Sequence, residues 1–374
     1  MQTNLDLYTD YLLSSFGQTS ATGLSRLTEG AVGHDAVTDL LNRIEGNNRT
    51  LWQYVKPLIR QIQESDGVLL TDDSIAHKPH TDENGLVTTH YDHTSGQYRS
   101  AGAVLGINFV SLLYQTSKGQ CPLSFEPVIK TQQCELKTRK VVWPVRRCGS
   151  ERTKHQMFQD MVRQAHQNRT GGPAVPFRYV LADSWYTNSD NINLILDLKH
   201  HYLGAVKSNL EVALSKHDRA NGKFVKISSL TLQPGTVLTV YIRSVSAPVV
   251  ICGDIFPNKD GSVGELLLLS TDVTLTYQQF LTTYQRRWGI EEYHKSLKQN
   301  ASLEKSPTRT LRTQTSHLFA SICAYVKLER LRLAAHTNHF ALKGRLYLKA
   351  MQAAFAELTV LKNQLSQGAP MGLV

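Results

Sequence analysis

The sequence predicts an α/β protein: helices first, then a mixed sheet core, a β-rich stretch inserted into that core, and helices again at the end. Three observations carry this. Residues 1–62 place apolar side chains at helical spacing, residues from 67 onward form short apolar strands separated by two helices, and residues 209–276 alternate apolar and polar between Gly, Pro and Asn turns. The chain has 374 residues, 41% apolar and 19% charged, which allows a sizeable core and two or three structural units.

The first helices read as LDLYTDYLLSSF, ATGLSRLTEG, DAVTDLLNRI and TLWQYVKPLIRQIQ, a small helical domain over residues 1–62. Strand signals then fall at GVLLTDDSI (67–75), AGAVLGINFVSLLYQ (101–115) and PLSFEPVIK (122–130). A helix follows at about 153–168, then a strand in FRYVLADSWYTN, a helix starting near Ser189 with Ser189 and Asp190 as its caps, and the strand YLGAVKSN. Three meandering strands, a helix, a strand, a helix and a strand is the order of the RNase H-like fold, so residues 63–208 are read as the first part of such a core. KFVKISSL, TVLTVYIRS, PVVICGDIF and GELLLLST make residues 209–276 a β-rich insertion. Residues 277–335 return to the core with basic helices, and 336–374 form a C-terminal helical segment.

Composition excludes several classes. No run of about 18 apolar residues is present and MQTNLDLYTDY lacks the regions of a signal peptide, so a cytoplasmic protein is expected. Five cysteines without a C-x-x-C pair predict reduced thiols and neither a disulfide framework nor a zinc ribbon. The net charge is +10, and residues 284–349 hold 13 Lys and Arg against four Glu. Such a basic stripe favours a polyanion, nucleic acid first. The short N-terminal helices resemble a helix-turn-helix arrangement that could read DNA ends.

Tyr284, Arg287, Glu291 and Lys298 recur at offsets of three, four and seven, one stripe of an α-helix within an arc of about 60°. A carboxylate flanked by two cations and a phenol can hold a divalent metal beside a phosphate chain. Glu292 is turned aside by about 100°. Phosphoryl transfer by two metals needs further acids from separate segments. Asp72 or Asp73 at the end of the first strand and Asp183 after YVLA supply them. Oxygen ligands favour Mg²⁺ or Mn²⁺.

These residues match the Y-x(2)-R-x(3)-E-x(6)-K signature, and the chain thereby resembles the DDE transposases of insertion sequences, of the IS-four-like group. The resemblance implies catalytic, metal-holding Asp72, Asp183 and Glu291 with two Mg²⁺, Mn²⁺ being a substitute. Its D-x-[ST] pattern selects Asp72 with Ser74, and Asp73 remains the alternative. It implies Tyr284, Arg287 and Lys298 as DNA-binding residues, and double-stranded DNA, both terminal inverted repeats and target, as substrate for cleavage and strand transfer. It further implies a homodimer on DNA and association with the bacterial nucleoid. The rival readings are an RNase H-like nuclease that cuts without joining, and a catalytically silent DNA-binding repressor of a mobile element.

Two features stand outside the pattern. Better-known relatives stack a flipped base on a tryptophan of the β-insertion, but Trp52, Trp143, Trp185 and Trp288 all lie outside residues 209–276, leaving Tyr241 or Phe256 as substitutes. Trp288 is read as a packing residue in preference to a base stacker. His77, His80, His90 and His93, with Asp92, have a spacing compatible with zinc but are read as ordinary hydrogen-bonding histidines.

Overall fold

The computed structural model describes residues 2–91, 103–134, 137–138, 141–142, 146–172, 174–257 and 261–366. The chain opens with α1 (Gln2–Ser14), α2 (Ala21–Leu27), α3 (His34–Arg43) and α4 (Asn48–Ile62). Ser20 and Asn47 cap α2 and α4 by accepting the Gly23 and Thr50 N–H groups. Strands β1 (Val68–His77), β2 (Val87–Tyr91), β3 (Ala103–Gln115) and β4 (Gln120–Pro127) follow. The short β5 (Lys130–Cys134) pairs with β8 (Arg146–Ser150), and β6 (Lys137–Thr138) with β7 (Val141–Val142). Helix α5 (Lys154–Gln167) starts in a reciprocal capping box between Thr153 and Gln156.

Next come β9 (Tyr179–Ala182), α6 (Ser189–Asp197) and β10 (His201–Ala205), then β11 (Glu211–Val212), α7 (Lys216–Ala220), β12 (Val225–Lys226), β13 (Leu238–Val240), β14 (Val249–Pro257) and β15 (Val263–Ser270). The cap of α6 is Asn188, whose side chain accepts the Asn191 N–H, so the expected caps Ser189 and Asp190 stand in the first turn. The chain closes with α8 (Tyr277–Gln285), α9 (Trp288–Gln299), α10 (Leu311–Ala335) and α11 (His339–Ser366). Among the described residues no helix is long and apolar enough to cross a membrane.

The elements form two compact units. The larger comprises Glu45–His294 and Arg309–Thr315 and is built on a nine-stranded sheet in the order β13-β14-β15-β10-β9-β1-β3-β2, with β4 also paired to β3. Strands β1, β9 and β10 run parallel, β3 pairs antiparallel with β1 and β4 antiparallel with β3, the mixed central sheet of the RNase H-like fold. Val68, Leu69 and Leu70 of β1, Val180 and Leu181 of β9 and Leu203 of β10 are fully buried. That explains why these strands read as unbroken apolar runs: a sheet covered on both faces has no polar side to alternate with. Helix α5 turns Met157, Phe158, Met161, Val162 and Ala165 inward, each large side chain contributing about 1.5–3 kcal/mol on burial.

Two groupings differ from the sequence reading. Helix α4 sits with the sheet and not with α1–α3. Its Leu51, Val55, Leu58, Ile59 and Ile62 are buried, and Asn48 ties it to β4 by accepting the Phe125 N–H at 2.9 Å and donating to Glu126 at 3.0 Å. The β-rich stretch, expected as a separate insertion, extends the central sheet, because β15 pairs antiparallel with β10 from Leu203↔Ser270 to Ala205↔Leu268.

The smaller unit gathers Met1–Ile44, Lys295–Thr308 and Ser316–Val374. Helix α10 carries buried Leu318, Phe319, Ile322, Ala324, Tyr325 and Val326, apolar around most of its circumference, and therefore needs cover on several sides. Tyr8 shares a 3.0 Å hydrogen bond with His317, and Lys327 bridges Asp6 and Asp10 at 2.7 Å each. Glu329, buried, accepts two 2.8 Å bonds from Arg332 and pairs with His339 at 2.8 Å. The two chain ends, read separately from sequence, are thus one helical unit.

Candidate active site

The site is built at the middle of the larger unit's sheet. Strand β1 does not stop at its acids as expected. It pairs with β3 through His77↔Gly106, so Asp72, Asp73 and Ser74 are half-buried residues within a continuing strand. β1 and β9 pair in parallel with Leu70 opposite Leu181. Two residues further along stand Asp72, still within β1, and Asp183, just past the end of β9, and the charge of Asp183 is felt at Asp72. Asp73, one step along, points to the other face.

The partners of the three carboxylates differ accordingly. Asp73 is held by Lys154 at 2.6 Å, Asn108 at 3.1 Å and the Tyr186 hydroxyl at 3.3 Å. Among the described residues Asp72 accepts the Asp73 N–H alone, at 2.8 Å. Asp183 accepts the N–H groups of Trp185 at 3.0 Å and Tyr186 at 3.4 Å, closing the turn that leads into α6. Burial, then the charges of Asp73 and Asp183, push the Asp72 carboxyl up to about 7. Burial also raises Asp183, against the two N–H groups it accepts.

The expected single helix over residues 284–300 is two. α8 ends at Gln285 and α9 starts at Trp288, with a tightened turn between them in which Arg286, Arg287, Gly289 and Ile290 each donate to the carbonyl three residues back. Arg286 fixes this turn by donating to the carbonyls of Asp66 and Gln115 at 3.0 Å. Arg287 donates to Glu291 at 2.6 Å and lies beside the rings of Tyr284 and Trp288, 5.7 and 5.8 Å from their centroids. Its charge is felt at both Asp72 and Asp183, and Tyr284, raised by burial, senses Arg287, Asp183 and Glu291.

Asp72, Asp183, Tyr284, Arg287 and Glu291 are therefore gathered in one unit. Glu292 is exposed. Lys298 falls on the part of α9 assigned to the smaller unit, 3.9 Å from Glu304. Among the described residues no three His, Cys, Asp or Glu side chains stand close enough to hold one ion together, consistent with Glu291 being turned to Arg287. Trp288, expected to pack, is 62% exposed, because the turn at 286–287 carries its ring out over Arg287. Trp185 is 56% exposed, its ring stacked beside His155 and under Lys207. His90 bonds Thr88 at 2.8 Å and is lowered to about 4 by burial and by Lys130 and Lys154, as a neutral structural histidine. His93, Asp92 and Trp143 lie outside the described residues.

The sequence profile of the family described as transposase DDE domain matches residues 133–327, and that of the DDE superfamily endonucleases matches residues 1–222, each more than half of the chain. The chain belongs to the DDE transposases. No curated protein matches it. A DDE transposase is an enzyme of the nuclease and transposase class whose substrate is DNA and whose chemistry relies on divalent metal ions. The residues fit such an ion: two half-buried carboxylates lie within electrostatic reach of each other, neither ion-paired among the described residues, in an environment that penalises their charge. For this transposase the network around Asp73 was not legible in the sequence. The doublet Asp72-Asp73 shows that the two acids face apart, but nothing local says that the first residue of α5 reaches one of them.

Proposed function

We propose that this transposase binds the terminal inverted repeats of an insertion sequence, cuts a strand at the element's end and joins that end to target DNA, with Asp72, Asp183 and Glu291 as the catalytic acids. The observation that carries it is that Asp72 and Asp183, neither ion-paired among the described residues, both lie in the field of Arg287, which pairs with Glu291. Asp72 and Asp183 would hold Mg²⁺, or Mn²⁺ in its place, and Glu291 would complete the site for two ions once released from Arg287. Bound metal supplies charge stabilisation for the phosphoryl group and a more reactive oxygen nucleophile. Arg287 and Tyr284 would grip the phosphate next to the cut, and Lys298 is proposed as a further phosphate-binding residue. Water attacks phosphorus, the bond to the 3′ oxygen breaks, and that oxygen leaves as a hydroxyl. In the second step the new 3′-hydroxyl attacks a target phosphodiester, and the target's own 3′ oxygen leaves.

The domain roles follow the same reading. Helices α2 and α3 are proposed to recognise the repeat, and the basic run over 284–349 to hold backbone phosphates. The protein would then act in the cytoplasm at the nucleoid. The decisive assay supplies Mg²⁺, a pre-cut repeat end and a target plasmid. Joined product is expected. Cleavage without any joined product would make the protein a nuclease, and neither reaction would leave the silent repressor.

Bringing two element ends together requires two copies, and α11 suits a self-association. Leu348, Met351, Phe355, Leu358, Lys362 and Leu365 follow a three-four repeat, and Phe355 is 72% exposed. The neighbouring Gln352, Ala354, Thr359 and Leu361 carry no charge that would repel a second copy. Replacing Phe355 and Leu358 with Asp is expected to convert a dimer into a monomer, read by light scattering after gel filtration with and without repeat DNA. An unchanged dimer would move the interface elsewhere.

A further inference from the structure

Two adjacent residues of β1 carry carboxylates, yet the protein neutralises only one of them. Asp73 has a full cation, Lys154, at 2.6 Å, while Asp72 and Asp183 have backbone N–H groups and no ion pair among the described residues. The neutralised acid is also a mechanical junction. Tyr186 donates its hydroxyl to Asp73 and its backbone N–H to Asp183, so one residue ties the two acids together across the sheet. Asn108 on β3 adds a third donor to Asp73. Lys154 itself is fixed as the first residue of α5 by the capping box of Thr153 and Gln156.

We propose that Lys154 is a positioning residue that, by cancelling the charge of Asp73, confines the metal to the Asp72–Asp183 face and lets Asp73 serve as the anchor of Tyr186. The inference rests on the assignment of Asp72 and Asp183 as metal-holding acids. Its physical content is electrostatic selection among three carboxylates. A divalent cation is drawn to any unpaired carboxylate in a half-buried cluster, and Asp73 would compete for it if left uncovered. Lys154 removes that competitor. Asp73 then contributes hydrogen-bond acceptance, which fixes Tyr186 and through it the turn carrying Asp183. An amide at position 73 keeps the Tyr186 anchor when its single oxygen takes the place of Oδ1, and its NH2 then stands at the place of Oδ2, where the Asn108 amide must flip to offer its buried, unbonded oxygen.

The signs of the effects make this testable. Lys154→Met leaves an extra negative charge beside the site, so Mn²⁺ binding, read by calorimetry or by the spin resonance of free Mn²⁺, is expected to tighten about threefold to tenfold while strand cleavage falls. Asp73→Asn leaves an unbalanced Lys154, and Mn²⁺ binding is expected to weaken by a similar factor. The double variant, neutral at both positions, is expected to return to within about twofold of the starting affinity and to recover most of the cleavage rate. Lys154→Arg should behave nearly as the unaltered protein. A purely packing role would instead make the double variant at least as impaired as the worse single one, with no opposition of sign, and that result would overturn the proposal. Thermal melts of all four variants separate misfolding from loss of metal. Asp72→Asn run alongside distinguishes the two levels: if it too leaves Mn²⁺ binding unchanged, the assignment of the site fails, whereas its loss of binding without the sign pattern sinks only the role of Lys154.

Discussion

Asp72→Asn is expected to lower strand cleavage about a thousandfold, since loss of the metal ligand proposed at this position would forfeit about 4 kcal/mol of transition-state stabilisation. Asp73→Asn should lose far less, because Asp73 is already engaged by Lys154, Asn108 and Tyr186 on the other face of β1. The pair of variants therefore decides between the two acids of the doublet; equal losses would defeat the assignment to Asp72. The same residue sets a pH dependence. The Asp72 carboxyl is raised to about 7, first by burial and then by Asp73 and Asp183, so metal must displace its proton and affinity should fall as the pH drops below 7. The sign for stability follows from linkage. A carboxyl raised on folding favours the folded state while protonated, and this contribution is lost as the pH climbs from the ordinary carboxylate range through about 7. The metal-free protein should thus lose stability relative to Asp72→Asn over that interval. Mg²⁺ at one hundred times its dissociation constant should return about 2.7 kcal/mol to the unaltered protein alone. A melting temperature that responds to Mg²⁺ equally in both proteins would place the ion elsewhere.

The order of strands and helices was readable because burial on both faces writes itself into β1, β9 and β10 as continuous apolar runs. What was not readable depends on pairing between distant segments. That β15 joins β10, making residues 209–276 part of the central sheet, is a hydrogen-bond register between strands about sixty residues apart in sequence. The grouping of α4 with β4 rests on Asn48 reaching Phe125 and Glu126, which no helix periodicity reveals. At the site, Arg287 of the sequence stripe lies within electrostatic reach of Asp72, Asp183 and Glu291, three acids also named from the sequence. The stripe was legible as chemistry but not as geometry. An ideal helix would have run through residues 286 and 287, whereas Arg286 is pulled onto the carbonyls of Asp66 and Gln115 and tightens the turn, which exposes Trp288. Lys154 was invisible for the same reason as α4: its meaning lies in a residue 81 positions away.

Arg287→Gln should have opposite effects on the two ligands of the site. The Arg287 side chain is mostly buried, and its guanidinium donates to Glu291 at 2.6 Å. A DNA phosphate arriving at that guanidinium competes with Glu291 for the same donors. On the proposed assignment, a phosphate that wins would release the Glu291 carboxylate to join Asp72 and Asp183, and engagement of DNA and completion of the metal site would be linked. Linkage is reciprocal: DNA must tighten metal binding by the same factor by which metal tightens DNA binding. Gln at position 287 removes the charge and the fork. Affinity for the repeat end is expected to fall about tenfold to a hundredfold, the worth of a charge-assisted hydrogen bond, and cleavage by about a hundredfold to a thousandfold as a donor to the developing charge is lost. Mn²⁺ binding in the absence of DNA should be no weaker and is expected to tighten, because Glu291 no longer has a cation to satisfy it. The ratio of Mn²⁺ affinities with and without DNA should move toward one. A fall in DNA-free Mn²⁺ affinity comparable to that of Asp72→Asn would show Arg287 to be part of the scaffold holding the acids, and an unchanged ratio would show that the Arg287–Glu291 pair does not couple the two ligands.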